Sequence, residues 1–123
     1  MADPLYLCYI VAMSKRINSR TKGKVGELEI AKLLTEHGYP ARRGRQYCGN
    51  PDAPDVVCPS LPLHLEVKRR ESLSGLLEWI DKARFDAGAD VPGVVIHRKN
   101  GTPWTISMAL DEFLRYIAPK IKL

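Results

Sequence analysis

Pro54-Asp55 and Leu63-His64-Leu65-Glu66-Val67-Lys68 hold the residue types with which this chain could do chemistry. In a β-strand, alternate side chains share a face. Leu63, Leu65 and Val67 then line one face, and His64, Glu66 and Lys68 line the other. A carboxylate thus stands beside an ammonium. Asp55, in a short strand expected over 55–58, can add a second carboxylate from a neighbouring strand. Two carboxylates and a lysine at one point suit a divalent metal, a bound water and a phosphodiester. His64 shares their face and could touch substrate; the ordinary alternative is a structural or exposed histidine.

The elements that must position these groups can be read from periodicity and punctuation. A helix is expected from near Lys22 to Gly38, where glycine stops it. Ile30, Ala31 and Leu34 lie on one side of it, with Glu29, Lys32 and Glu36 opposite. At about 100° per residue, Glu27 falls within the apolar side. A carboxylate there needs a cation or a hydrogen-bond partner. Alternatively it is a first-turn glutamate, where the helix N-terminus favours negative charge. Residues 39–46 read as an edge strand carrying Arg42, Arg43 and Arg45, which could equally serve to block edge-to-edge aggregation. Cys48-Gly49-Asn50-Pro51-Asp52 is rich in turn formers. Pro59, Leu61 and Pro62 suggest a tight connection into a strand over 63–68.

Ser72 or Ser74 can cap a second helix running to about Ala87 and stopped by Gly88. Leu76, Leu77, Ile80, Ala83 and Ala87 form its apolar side, with Glu78 and Asp81 on a solvated face. A buried strand is expected over 94–97, a turn at Asn100-Gly101 and a strand over 104–106. Ser107 can cap a last helix over 109–118, ended by Pro119. Trp79 and Trp104 read as packing residues. The order is α-β-β-β-α-β-β-α, an α/β fold with a central mixed β-sheet flanked by helices.

The chain has 123 residues and a net charge of +5, which suits one domain with an anionic partner. Basic residues cluster at Lys15, Arg16, Arg20, Lys22 and Lys24, at Arg42, Arg43 and Arg45, and at Lys68, Arg69 and Arg70. Clusters beside a candidate metal site favour a polyanion; a solvated surface is the bland alternative. Residues 1–21 read as an apolar leader and a mobile basic arm, and 22–123 as the single domain. The apolar run 5–13 is far short of the roughly 20 residues needed to span a bilayer. It also lacks the preceding basic segment of a signal peptide, so no membrane association is expected. Three cysteines, an odd number with no CxxC, argue against a disulfide framework and for a reducing cytoplasm. A zinc set of Cys48, Cys58 and His64 lacks the usual close pair of ligands.

Pro54-Asp55, Glu66-Val67-Lys68 and an inward-facing acid on the preceding helix, in this order, resemble the PD-(D/E)XK nuclease superfamily. Lys22-Gly23-Lys24-Val25-Gly26-Glu27, Gly38-Tyr39 and Arg42-Arg43 look like the archaeal-type Holliday junction resolvases within it. The resemblance runs from about Lys22 to Trp104. It implies a restriction-endonuclease-like sheet and a Mg²⁺-dependent, cytoplasmic homodimer that resolves four-way DNA junctions in recombination and repair, with Mn²⁺ able to substitute. Asp55 and Glu66 would be metal-binding carboxylates, and the backbone carbonyl of Val67 would complete the shell. Lys68 would orient or activate the attacking water and stabilise charge on the phosphate, and Glu27 would stand beside the metal, either behind its direct ligands or as a ligand of a second metal. Lys22, Lys24, Arg42, Arg43, Arg45, Cys48, Arg69 and Arg70 would contact DNA. That family carries a serine-glycine in the loop before Pro-Asp; here the loop has Cys48-Gly49, which weakens the hydrogen bond. Many superfamily members place a glutamine on the helix after the Glu-x-Lys strand, where the nearest candidate is Lys82. The alternatives are a nuclease of the same fold acting on flaps, single strands or general duplex, or a catalytically idle DNA-binding module.

Overall fold

The structure is a computed structural model that describes residues 19–44 and 53–121. Its elements are α1 (Ser19–Glu36), β1 (Arg42–Arg43), β2 (Val56–Val57), β3 (His64–Arg69), α2 (Leu76–Ala87), β4 (Gly93–Arg98), β5 (Thr105–Ser107) and α3 (Leu110–Glu112). The chain is α/β, and a five-stranded mixed sheet runs in the order β1-β2-β3-β4-β5. β1 pairs antiparallel with β2, and β2 with β3. β3 and β4 are parallel from His64↔Gly93 to Arg69↔Arg98, and β5 returns antiparallel to β4. A parallel pair needs a crossover connection, and α2 supplies it.

Helices cover both faces of the sheet, and the core is split accordingly. On one face Ile30 and Ala31 of α1 pack on Val56, Leu65, Val67, Val94 and Ile96, with Cys58 at the margin. On the other, Ile80 and Ala83 of α2 pack on Val95. That second contact is very close: a Cβ built on Gly93 would stand 2.3 Å from the backbone of Ala83. Gly38 has φ +94 and ends the turn after α1, as its place after the helical run suggests.

Several expectations are corrected. Among the described residues β1 covers Arg42–Arg43 and does not begin at 39, while 45 and 46 of the expected strand lie outside them; β2 covers Val56–Val57, and β3 extends to Arg69. Neither Ser72 nor Ser74 caps α2: the Ser74 N–H donates to the Ser72 hydroxyl at 3.2 Å, and Gly75 takes the cap position without a side-chain bond. Ser107 does not cap the last helix, because its hydroxyl is held by His97 Nε2 at 2.7 Å. The final helical stretch does not keep one pitch. α3 passes into a wider π-turn at Phe113–Ile117 and a tight 3₁₀ turn at Ala118–Lys120, which accommodates Pro119. Arg45, Cys48 and most of the expected leader and arm over 1–21 lie outside the described residues. Among the described residues, no helix is long and apolar enough to cross a membrane.

Candidate active site

The register of β2 on β3 brings the two acids together. Val56 stands opposite Leu65 in an antiparallel pair, so Asp55 comes next to Glu66. The Asp55 N–H donates to the Leu65 carbonyl at 2.9 Å, and the Val67 N–H donates to Asp55 Oδ2 at 2.8 Å. Leu65 and Val67 enter the core beneath α1. The alternation of β3 therefore turns His64, Glu66 and Lys68 toward α2. Lys68 Nζ lies 5.8 Å from the centroid of the Trp79 ring on α2, a cation–π contact.

The Asp55 and Glu66 carboxyls stand within hydrogen-bonding reach of one another. Burial, and then that contact, push the Asp55 pKa from 3.8 up to about 7. Glu66 moves the other way. Burial alone would raise it, but the His64 ring, 2.9 Å from Oε1, and the Asp55 carboxyl outweigh burial and hold it below its ordinary value. Two carboxyls in contact cannot both ionise cheaply, so below about neutral pH they share a proton.

Glu27 is close enough for its charge to raise Asp55 further, and it is ion-paired with Arg43 Nε on β1. It has the cationic partner that its inward place required. From α2, the Lys82 ammonium bonds the buried Asp86 carboxylate. Lys82 is held protonated first by that bond, against a small burial effect, and then by the charges of Glu66, Asp86 and Asp55. The metal-ligating atoms of His64, Glu66 and Asp86 lie within 4.8 Å of one another.

Arg69 is not a surface phosphate contact in this structure. It is 3% exposed, and its guanidinium faces Glu29 at 3.8 Å. Glu29, expected on the solvent side of α1, is 4% exposed. It accepts from Arg98 Nη1 at 3.3 Å and from the Trp104 indole N–H at 3.2 Å. Arg98 also lies over the Trp104 ring, 5.2 Å from its centroid. This ionic knot pins α1 to the C-terminal ends of β3 and β4. Trp104 thus packs as expected but also donates a hydrogen bond.

The other basic candidates are distributed unevenly. Lys24, Arg42 and Arg70 are exposed, while Lys22 is partly buried and 3.5 Å from Glu71. His64 is buried and bonded to Glu66. Three residues were not singled out as site or core groups from sequence: Asp86, Glu29 and Arg98. Asp86 follows Ala83 at helical spacing and so belongs to the inward side of α2, a signal that periodicity carries. Glu29 had no local signal, since its partners come from β3, β4 and the approach to β5.

Chemically, the Asp55 and Glu66 oxygens fit a hard divalent cation, and the proton they share marks the charge such an ion would neutralise. No family model, no curated protein and no solved structure matches this chain.

Proposed function

We propose that this chain is a divalent-metal-dependent DNA endonuclease of PD-(D/E)XK type that resolves four-way junctions as a homodimer. The observation that carries the chemistry is the contact between the Asp55 and Glu66 carboxyls, with Lys68 two residues further along the same face. A mixed sheet with a helix on each face, one acid just before β2, one on β3 and a further acid on α1, suits a restriction-endonuclease-like architecture. The junction substrate and the dimer rest on the motif resemblance at residues 22–27, 38–43 and 54–68, and on symmetry. A four-way junction needs two cuts in opposing strands, and a two-fold dimer presents two sites in that relation.

Asp55 and Glu66 would hold Mg²⁺ or Mn²⁺, with the Val67 carbonyl on the strand between Glu66 and Lys68. When bound, such an ion acidifies its water and offsets charge developing on phosphorus. Asp55 is oriented for this by the Val67 N–H, and Glu66 by His64. Lys68 supplies a fixed positive charge for the phosphate and orients the water, while packing on Trp79 limits its rotamers. Glu27 adds negative potential beside the ion. Exposed Lys24, Arg42 and Arg70 remain as DNA-backbone contacts.

The substrate is tested by cleavage of an end-labelled four-way junction, matched linear duplex, flap and single strand, in Mg²⁺ or EDTA. Paired symmetric nicks in the junction alone are expected, lost in EDTA. Equal Mg²⁺-dependent cutting of all four would keep the chemistry and remove the junction specificity. Binding without cutting in any metal would make the chain a binding module.

A further inference from the structure

We infer that His64, Glu66 and Asp86 form a second cation position, beside the one proposed for Asp55 and Glu66 and sharing Glu66, that favours transition-metal ions over Mg²⁺. The inference rests on the nuclease reading only for what the second ion would serve; its geometry stands on its own. The three side chains come from two elements, His64 and Glu66 from β3 and Asp86 from α2. Each is at least nine-tenths buried, with side-chain exposures of 7%, 7% and 5%. Their ligand atoms lie within 4.8 Å of one another. Ligands trans across Mg²⁺ stand about 4.2 Å apart, twice a bond of about 2.1 Å. One pair closing from 4.8 Å to that spacing moves roughly half an ångström, and neighbouring ligands stand about 3 Å apart, where His64 Nε2 and Glu66 Oε1 already lie at 2.9 Å.

The charge balance points the same way, independently of the geometry. Glu66 and Asp86 are buried carboxylates, and Asp55 is a third beside them. Among the described residues, the side-chain cation bonded to Asp86 is Lys82. Its side chain is 60% exposed, so it lies at the rim of the group and not within it. An ammonium bonded to a buried carboxylate, beside two further carboxyl groups, marks a point of negative potential. A dication would neutralise that potential more fully than a single ammonium does. Lys82 would then be free to turn outward toward a phosphate.

The donor set decides the ion. Mg²⁺ takes oxygen ligands, whereas imidazole suits transition metals. In this structure the His64 Nε2–H donates to Glu66, and moving that proton to Nδ1 would free the Nε2 lone pair for a cation. One imidazole and two carboxylates favour Mn²⁺ over Mg²⁺ at this position, while the all-oxygen Asp55–Glu66 position tolerates either.

The test is Mn²⁺ titration of the metal-free full chain, with free Mn²⁺ read by electron paramagnetic resonance. Wild type should bind two Mn²⁺ per chain. His64→Gln and Asp86→Asn should each bind one at wild-type affinity and weaken the other at least tenfold. Asp86→Asn changes a single atom on the helix, and covers the case that His64→Gln does not fold. Excess Mg²⁺ should displace the ion governed by Asp55 at least tenfold more readily than the ion governed by His64. Wild-type stoichiometry in both His64→Gln and Asp86→Asn overturns the second position; if Asp55→Asn then removes an ion, the active-site reading survives. An ion lost in His64→Gln and Asp86→Asn but indifferent to Asp55→Asn supports the second position and removes the first. No bound Mn²⁺ in wild type overturns both.

Discussion

Replacing Asp55 by asparagine should stabilise the metal-free protein at neutral pH while removing its chemistry. Asp55 titrates at about 7 in the fold against 3.8 as the ordinary value. A carboxyl with a raised pKa contributes stability that is intact below the unfolded pKa and lost as pH rises through the folded one. Each pH unit in that window costs up to roughly 1.4 kcal/mol. Glu66 adds no slope there, since its lowered pKa places its own loss of stability below the ordinary value of 4.5. Between about pH 5 and pH 7 the wild type should therefore lose roughly 2 kcal/mol through Asp55. Asparagine cannot ionise and can still accept from the Val67 N–H, so Asp55→Asn should lack this loss. The His97 ring, whose pKa burial lowers, gains stability with rising pH, but it does so equally in both proteins and cancels in the difference. Urea unfolding in EDTA at several pH values measures that difference directly. Curves for wild type and Asp55→Asn that stay parallel from pH 5 to 7.5 would refute the shared-proton contact. Adding Mg²⁺ at pH 7.5 should raise the melting temperature of the wild type and leave Asp55→Asn largely unmoved, because the all-oxygen position that takes Mg²⁺ needs Asp55.

Three further outcomes are expected. Glu29→Ala takes the carboxylate from between two buried guanidiniums and should cost about 3–5 kcal/mol in urea unfolding; a loss under about 1 kcal/mol would mean the knot does not hold α1. Gly93→Val places a Cβ 2.3 Å from the Ala83 backbone, and circular dichroism should show no cooperative unfolding; a variant melting within a few degrees of wild type would contradict the packing of α2 on β4. Alanine at Lys24, Arg42 or Arg70 should weaken junction binding at all sequences and lower the salt slope by about 1 each, whereas Arg69→Ala should instead lower stability; an unchanged slope in all three surface variants would remove this surface from the DNA contact.

Much of the scaffold could be read from local pattern. Gly38 and Gly88 mark helix ends, the valines before His97 mark a buried strand, and 55 and 66 come from successive short strands. The burial of β3 could not be read as simply. Alternation from Leu63 to Lys68 suggests one wet face, but a strand paired in parallel and covered by a helix on each side is dry on both. His64 and Glu66 are buried in consequence, at 6% and 5% exposure. The same alternation, carried one step further, puts Arg69 on the face of Leu65 and Val67. Its positive charge suggests DNA, yet its position dictates the interior. Glu29 shows the opposite limit. Helical period places it on the far side from Leu34, and only partners distant in sequence make that side an interior one. The serine caps failed for a related reason, since Ser72 and Ser107 found other partners that no local rule names.

The most direct test of the central claim is Mg²⁺-dependent cleavage of a labelled four-way junction by wild type, Asp55→Asn, Glu66→Gln and Lys68→Ala, with binding measured in parallel on the same DNA. Loss of cleavage in all three variants with junction binding largely retained is the predicted result. Undiminished cutting by the three would contradict it, because hydrolysis would then proceed without the two carboxylates and the lysine that the strand register brings together.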